Sequence, residues 1–121
     1  MNQTDYINMV GMLNSATFCK KIHWEEQDGE FSTKIGGCLI ELVPSYDFQV
    51  NVSSYSLRLY NEDGELFETF CYSEDVDNED YQRLNGLYIT IRDVNYKITE
   101  SEKIILDNLK KLIETDNSMP F

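Results

Sequence analysis

Basic residues are scarce in this chain: ten Lys and Arg stand against 22 Asp and Glu, for a formal net charge of −12. Binding to a phosphate backbone needs clustered Lys and Arg, so direct nucleic-acid recognition is not expected. Histidine is scarcer still. His23 is the single one, and Cys19, Cys38 and Cys71 are too far apart for a zinc ligand set at two-to-four-residue spacing. Three separated cysteines amid apolar or aromatic neighbours read as reduced core thiols, not as a disulfide framework. No apolar run approaches the ~20 residues that span a bilayer. Residues 1–20 also lack the basic start and unbroken apolar stretch of a signal peptide, so the cytoplasm is the expected compartment and no membrane partner is expected.

Catalytic motifs are missing as well. Neither Gly-x-Ser-x-Gly nor a glycine-rich phosphate loop followed by Lys and Ser or Thr occurs. Asp75-Val76-Asp77-Asn78-Glu79-Asp80 opens like a calcium loop, but Asp80 stands where the sharp turn needs glycine and Gly86 where the last bidentate acid belongs. With so many carboxylates, pairs such as Glu25-Glu26 arise by chance and do not define an acid/base couple. His23, opposite in alternation to Ile22 and Trp24, reads as an exposed strand residue. The chain is therefore read as a non-enzyme without cofactor or metal. Asn2-Gln3-Thr4 and Asn51-Val52-Ser53 fit the glycosylation pattern, but as chance matches in a chain that is not exported.

What is present suits one globular α+β domain over residues 1–121: the chain is 41% hydrophobic, with two prolines, Pro44 and Pro120. Thr4 or Asp5 caps a first helix in which Tyr6, Met9, Val10, Leu13, Ala16 and Thr17 share a face, ending near Lys20. Alternation then predicts a strand through Ile22 and Trp24, a hairpin turn at Asp28-Gly29, and a strand through Phe31, Thr33 and Ile35. Gly36-Gly37 reads as a bend or bulge before the dense apolar strand Cys38 to Val43, central in the sheet and ended by Pro44. Residues 48–60 form either one long bent strand or two short ones. Residues 57–72 form a hairpin turning at Asn61-Glu62-Asp63-Gly64. A helix begins near Glu79, capped by Asp77 or Asn78. It carries Tyr81, Leu84, Leu87, Tyr88, Ile91 and Val94 on one face, although residues 87–92 also alternate like a strand. A Thr99/Glu102 capping box opens a last helix with Ile105, Leu106, Leu109, Leu112 and Ile113 on its apolar face, to about Thr115. Residues 116–121 read as a frayed tail. The expected fold is an antiparallel sheet of five or six strands, with an N-terminal helix and two C-terminal helices packed on one face.

The least random feature is the run from Leu59 to Gln82. It holds nine acids, Glu62, Asp63, Glu65, Glu68, Glu74, Asp75, Asp77, Glu79 and Asp80, and no Lys or Arg. One end of the molecule should be strongly negative, a solvated surface or a patch that steers a basic protein partner, with Tyr72 able to anchor it.

Ile22-His23-Trp24-Glu25, Ser56 to Leu66, Leu84 to Arg92 and Ile98 to Leu112 together resemble a loose group of small, acidic bacterial and phage-type proteins of uncharacterised activity. The resemblance spans roughly residues 20–115. It implies that Leu87-Tyr88 lies in an amphipathic helix, and it implies no catalytic residue.

Two functions compete on these grounds. The first is a non-enzymatic protein-binding module of the inhibitor, immunity, anti-defence or adaptor kind, working through the acidic patch. The second is a small-ligand domain whose pocket is lined by Trp24, Phe31, Phe48 and Tyr55. An enzyme built on scattered carboxylates or His23 is the least supported. An exposed edge strand or the last helix could also form a homodimer.

Overall fold

The computed structural model describes residues 1–115; the predicted frayed tail, 116–121, lies outside the described residues. Helix α1 (Gln3–Phe18) leads into strands β1 (Glu25–Gln27), β2 (Glu30–Ile35), β3 (Cys38–Asp47), β4 (Val52–Tyr60) and β5 (Leu66–Ser73), followed by helices α2 (Asn78–Tyr96) and α3 (Ile98–Thr115). The five strands form one antiparallel sheet in sequence order, an α+β fold as expected.

Two hairpin turns are set by backbone sign. Asp28 and Gly29 have φ of 53° and 82°, and Gly36 and Gly37 have 59° and 81°. Both are two-residue turns with two positive φ values, whose twist matches that of the flanking strands. Gly36-Gly37 is thus a hairpin turn between β2 and β3, not a bend or bulge. The first strand is shorter than predicted, because Ile22 and Trp24 precede it in a loop; His23 is exposed there, and its carbonyl accepts from the Thr33 hydroxyl at 2.7 Å. Pro44 does not end β3, which continues to Asp47. The β2 ladder stops at the Phe31–Leu42 pair, so at Pro44 the strand is partnered on one side only, where a missing N–H is tolerated. Phe48 and Val50 belong to neither a long strand nor a second one. They sit exposed in the turn between β3 and β4, held by Asn51 at φ 55°, which accepts from the Tyr46 hydroxyl.

The helices begin where short polar side chains satisfy free N–H groups, though not always at the predicted residue. Asn2, not Thr4 or Asp5, caps α1: its Oδ1 accepts from the Asp5 N–H at 2.8 Å and Asp5 reciprocates. Asp77 stands at the N-cap of α2 without a side-chain bond. Residues 87–92 are helical. Thr99 lies inside α3, and its N–H and hydroxyl both donate to Asp93 Oδ1, at 3.0 and 2.7 Å. Only Lys97, in the left-handed region at φ 50°, separates α2 from α3, so the preceding helix supplies the cap in place of a Thr99/Glu102 box.

Helices α1 and α2 cover one face of the sheet. Their first turns meet where Gln3 and the Tyr6 hydroxyl reach Asp80, and their last turns meet at Trp24, so they run in the same direction. Tyr6, Val10, Leu13, Trp24, Phe31, Leu42, Tyr55, Leu57, Leu84, Leu87 and Ile91 fill the space between. The opposite face carries the cross-strand row Ser32, Glu41, Arg58, Thr69, polar enough to need no second layer. Helix α3 is not packed on the sheet: Ile105, Leu106, Leu109, Leu112 and Ile113 are all exposed. The cysteines are unpaired but not core residues. Cys19 and Cys71 are exposed and Cys38 is half-buried.

One buried bond joins these layers. The Trp24 indole N–H donates to Thr17 Oγ1 at 2.9 Å, and that hydroxyl donates to the Leu13 carbonyl at 2.6 Å. Thr17→Val keeps the volume but strands the indole N–H, and should cost about 2 kcal/mol in a urea titration; Thr17→Ser should keep most of it. Alkali offers a second check. Tyr55, ringed by Tyr81 and Tyr88, has its pKa pushed up to about 12, chiefly by burial, with the neighbouring tyrosines adding and Arg92 opposing; burial raises Tyr6 as well. The unfolded chain ionises near the ordinary tyrosine value of about 10. Stability should therefore hold below that pH and fall as pH rises from there towards 12, and the fall in thermal midpoint should be shallower in Tyr55→Phe.

Candidate functional site

The predicted acidic residues are not gathered at one end. Strand β5 runs between them, and its eight residues span roughly 26 Å. At one end is the β4–β5 hairpin. Its Asn61 Oδ1 accepts from the N–H groups of Asp63 and Glu65, at 3.0 and 2.9 Å, and Gly64 takes φ 82°. That turn fixes Glu62, Asp63 and Glu65 in solvent. At the other end, the link holds Glu74 and Asp75, with Asp77 at the N-cap of α2.

The remaining members are committed to the fold. Glu68 faces the N-terminal ammonium at 3.8 Å. Glu79 and Asp80 both pair with Arg83, at 3.2 and 3.1 Å, and Asp80 also accepts from Gln3 at 2.8 Å. Tyr72 is half-buried: its hydroxyl donates to Gln3 at 3.3 Å and its ring lies 5.1 Å from that of Tyr6, so it anchors α1 to the sheet edge. The single negative end is thus corrected to two solvated clusters at opposite ends of an edge strand.

The aromatic pocket does not form. Trp24, Phe31 and Tyr55 are buried core residues, with Phe31 and Tyr55 packed against Tyr88 at 5.3 and 5.4 Å. Phe48 is 83% exposed, with its ring 4.8 Å from that of Tyr46. Among the described residues, no three His, Cys, Asp or Glu side chains are placed to share a metal ion. Nor is any described helix long and apolar enough to cross a membrane.

An apolar cleft of about 460 Å³ opens elsewhere, between α1 and the tips of two hairpins. Met1, Met9, Met12 and Ala16 line it from the helix side, Ile35, Cys38 and Leu39 from the β2–β3 hairpin, and Tyr60 and Phe67 from the β4–β5 hairpin. The short Ala16 side chain leaves room that a larger residue would fill. Hairpin tips are normally polar, so Ile35 and Phe67, both exposed, are the signal that sequence reasoning passed over.

The cleft adjoins the hairpin acids. The Glu62 side chain reaches across to the β2–β3 turn, where a Cβ at Gly37 would stand 3.3 Å from its Cγ. Glu68 faces the amino group of Met1, itself a lining residue. Donation from Tyr60 to Glu41 holds the phenol neutral and raises its pKa. An apolar slot with carboxylates on its rim accepts uncharged or cationic amphiphiles and repels anionic ones.

No family model matches this chain, and no curated protein and no solved structure matches it either.

The cleft should bind an uncharged solvatochromic dye at one molecule per chain, with enhanced and blue-shifted emission. Ala16→Trp should abolish that emission while leaving the far-ultraviolet circular dichroism unchanged, and an anionic dye of similar size should bind more weakly.

Proposed function

We propose that this chain is a non-enzymatic protein-binding module that takes a basic, amphipathic segment of a partner. An apolar side chain of the segment enters the cleft, and Lys or Arg beside it faces Glu62, Asp63 and Glu65. The observation that carries this reading is the adjacency of a methionine-lined apolar slot to solvated carboxylates held on a rigid turn. Interfaces draw affinity from an anchor buried in a pocket and draw encounter rate and selectivity from the charges around it. Methionine side chains adapt their shape, which suits a surface that grips a partner rather than orienting a substrate for chemistry. The acids of the β5–α2 link supply long-range attraction on this reading, and not contact. On this reading the chain is an inhibitor, immunity, anti-defence or adaptor protein of a bacterial cytoplasm.

A second reading, a small-ligand domain, rests on the volume of the cleft, which lies in the range of small-molecule sites. It calls for an uncharged or cationic ligand.

Selection from a displayed random-peptide library decides between them. Enriched peptides should combine a large apolar residue with flanking Lys or Arg. Their affinity should fall at least tenfold, about 1.4 kcal/mol, in Glu62→Lys/Asp63→Lys/Glu65→Lys. The loss in Glu74→Lys/Asp75→Lys should be smaller, and raising salt should weaken wild-type binding. Peptides without basic residues, or binding indifferent to the hairpin reversal, would overturn the proposal.

A further inference from the structure

Strand β5 is one of the two edges of the sheet, and the ladder with β4 fixes which of its main-chain groups face outward. The Glu74 N–H donates to the Ser53 carbonyl at 2.9 Å, one step beyond the pair Ser54–Ser73 and in the same register. Antiparallel partners exchange bonds at every second pair. Tyr55–Tyr72 and Leu57–Phe70 are therefore bonded pairs, and Thr69, Cys71 and Ser73 turn their N–H and C=O groups away from β4. The Asp77 N–H takes the Ser73 carbonyl at 2.9 Å. The N–H and C=O of Thr69 and Cys71, and the N–H of Ser73, have no hydrogen-bond partner among the described residues.

Edges of this kind are usually closed to other strands by brevity, Lys or Pro. The other edge, β1, is also acidic through Glu25 and Glu26, but it has three residues and the Tyr96 hydroxyl holds Glu26. Strand β5 has eight residues, and none is Lys, Arg or Pro. Its two ends carry the acidic hairpin and the acidic link, roughly 26 Å apart. Charge at both ends selects the occupant. A second copy is excluded in either direction: antiparallel pairing sets the hairpin acids of one chain against the link acids of its twin, and parallel pairing sets like clusters together. A segment with Lys or Arg at both ends meets attraction in either direction, over a length that matches the strand.

We propose that the β5 edge is a strand-addition site for an extended segment of a basic protein partner. The segment pairs its main chain with Thr69, Cys71 and Ser73. Its basic ends face Glu62, Asp63 and Glu65 on one side and Glu74 and Asp75 on the other. Main-chain bonds give such a complex its hold, and the flanking charges give it selectivity. This goes beyond the cleft reading, in which a side chain enters an apolar slot and the link acids act only at a distance.

The probe is a blocked peptide of eight alternating Thr and Val residues with two Lys at each end. It should bind one molecule per chain in calorimetry, and the amide hydrogens of Thr69, Cys71 and Ser73 should then exchange at least tenfold more slowly. Either charge reversal, Glu62→Lys/Asp63→Lys/Glu65→Lys or Glu74→Lys/Asp75→Lys, should weaken binding at least fivefold. Ala16→Trp, which fills the cleft, should leave it unchanged, so the two proposals stand or fall separately. Methylating the eight central amide nitrogens of the peptide keeps every charge and should abolish binding. Binding that survives methylation, or that leaves the three exchange rates unaltered, would be charge attraction alone and would overturn the proposal. So would a peptide that does not bind the wild-type chain. Protection of the same three amides in the peptide-free protein, rising with its concentration, would give the edge to a second copy instead.

Discussion

Everything in this fold is tied at Trp24. Its indole N–H donates to Thr17 at the end of α1, its carbonyl accepts from Asn95 near the end of α2 at 3.0 Å, and its chain runs directly into β1. A buried N–H without a partner would cost more than the bond returns when it is made, so the geometry around Thr17 is strongly constrained. That constraint sets where both helices end over the sheet. The Asp80 contacts with Gln3 and Tyr6 at the other end make the two helices parallel neighbours.

Once two helices are fixed over the middle of the sheet, the ends of the sheet become different places. The β2–β3 and β4–β5 hairpins carry apolar residues at their tips, and α1 meets them there with methionines and a single alanine. The cleft is the gap left between a helix whose position Trp24 dictates and hairpins whose length the two-residue turn and the Asn61 turn dictate. Its acidic rim follows from the same turn, because the Asn61 side chain folds the loop so that Asp63 and Glu65 are exposed while the exposed Glu62 reaches towards the β2–β3 turn. The uncovered face of the sheet stays stable in water because polar side chains occupy its cross-strand row.

Charge is unevenly distributed over the described residues: an acidic hairpin lies beside an apolar slot, an acidic link lies at the far end of β5, and α3 carries balanced charges. Net charge alone describes none of them. A chain of −12 with evenly spread acids would be negative everywhere, whereas segregation here concentrates the exposed carboxylates of the 59–82 run at the two ends of β5.

Local chemistry was legible in the sequence wherever one residue decides a conformation or one period runs unopposed. Asp28-Gly29 and the Asn61–Gly64 turn marked their hairpins, period-two alternation marked β2 and β4, and the three-and-four spacing of Leu84, Leu87 and Ile91 marked α2 against the competing strand pattern. The α+β class followed from the order of those elements. Where neighbours compete, sequence misled. Phe48 and Val50 alternate but lie in a turn, Pro44 continues a strand because its outer side has no partner, and Asn2 and Asp93 cap helices that Thr4 and Thr99 seemed placed to cap. The functional surfaces belong wholly to tertiary structure. Amphipathicity determines that α3 has an apolar face, but only the tertiary structure, through the turn at Lys97, decides that this face is not buried in the core between α1, α2 and the sheet. Composition determines nine acids in one run, but only the 8-residue strand between them decides that they form two clusters. A sequence specifies which side chains seek burial; which ones find it depends on distances between segments far apart in the chain, and those are fixed by packing.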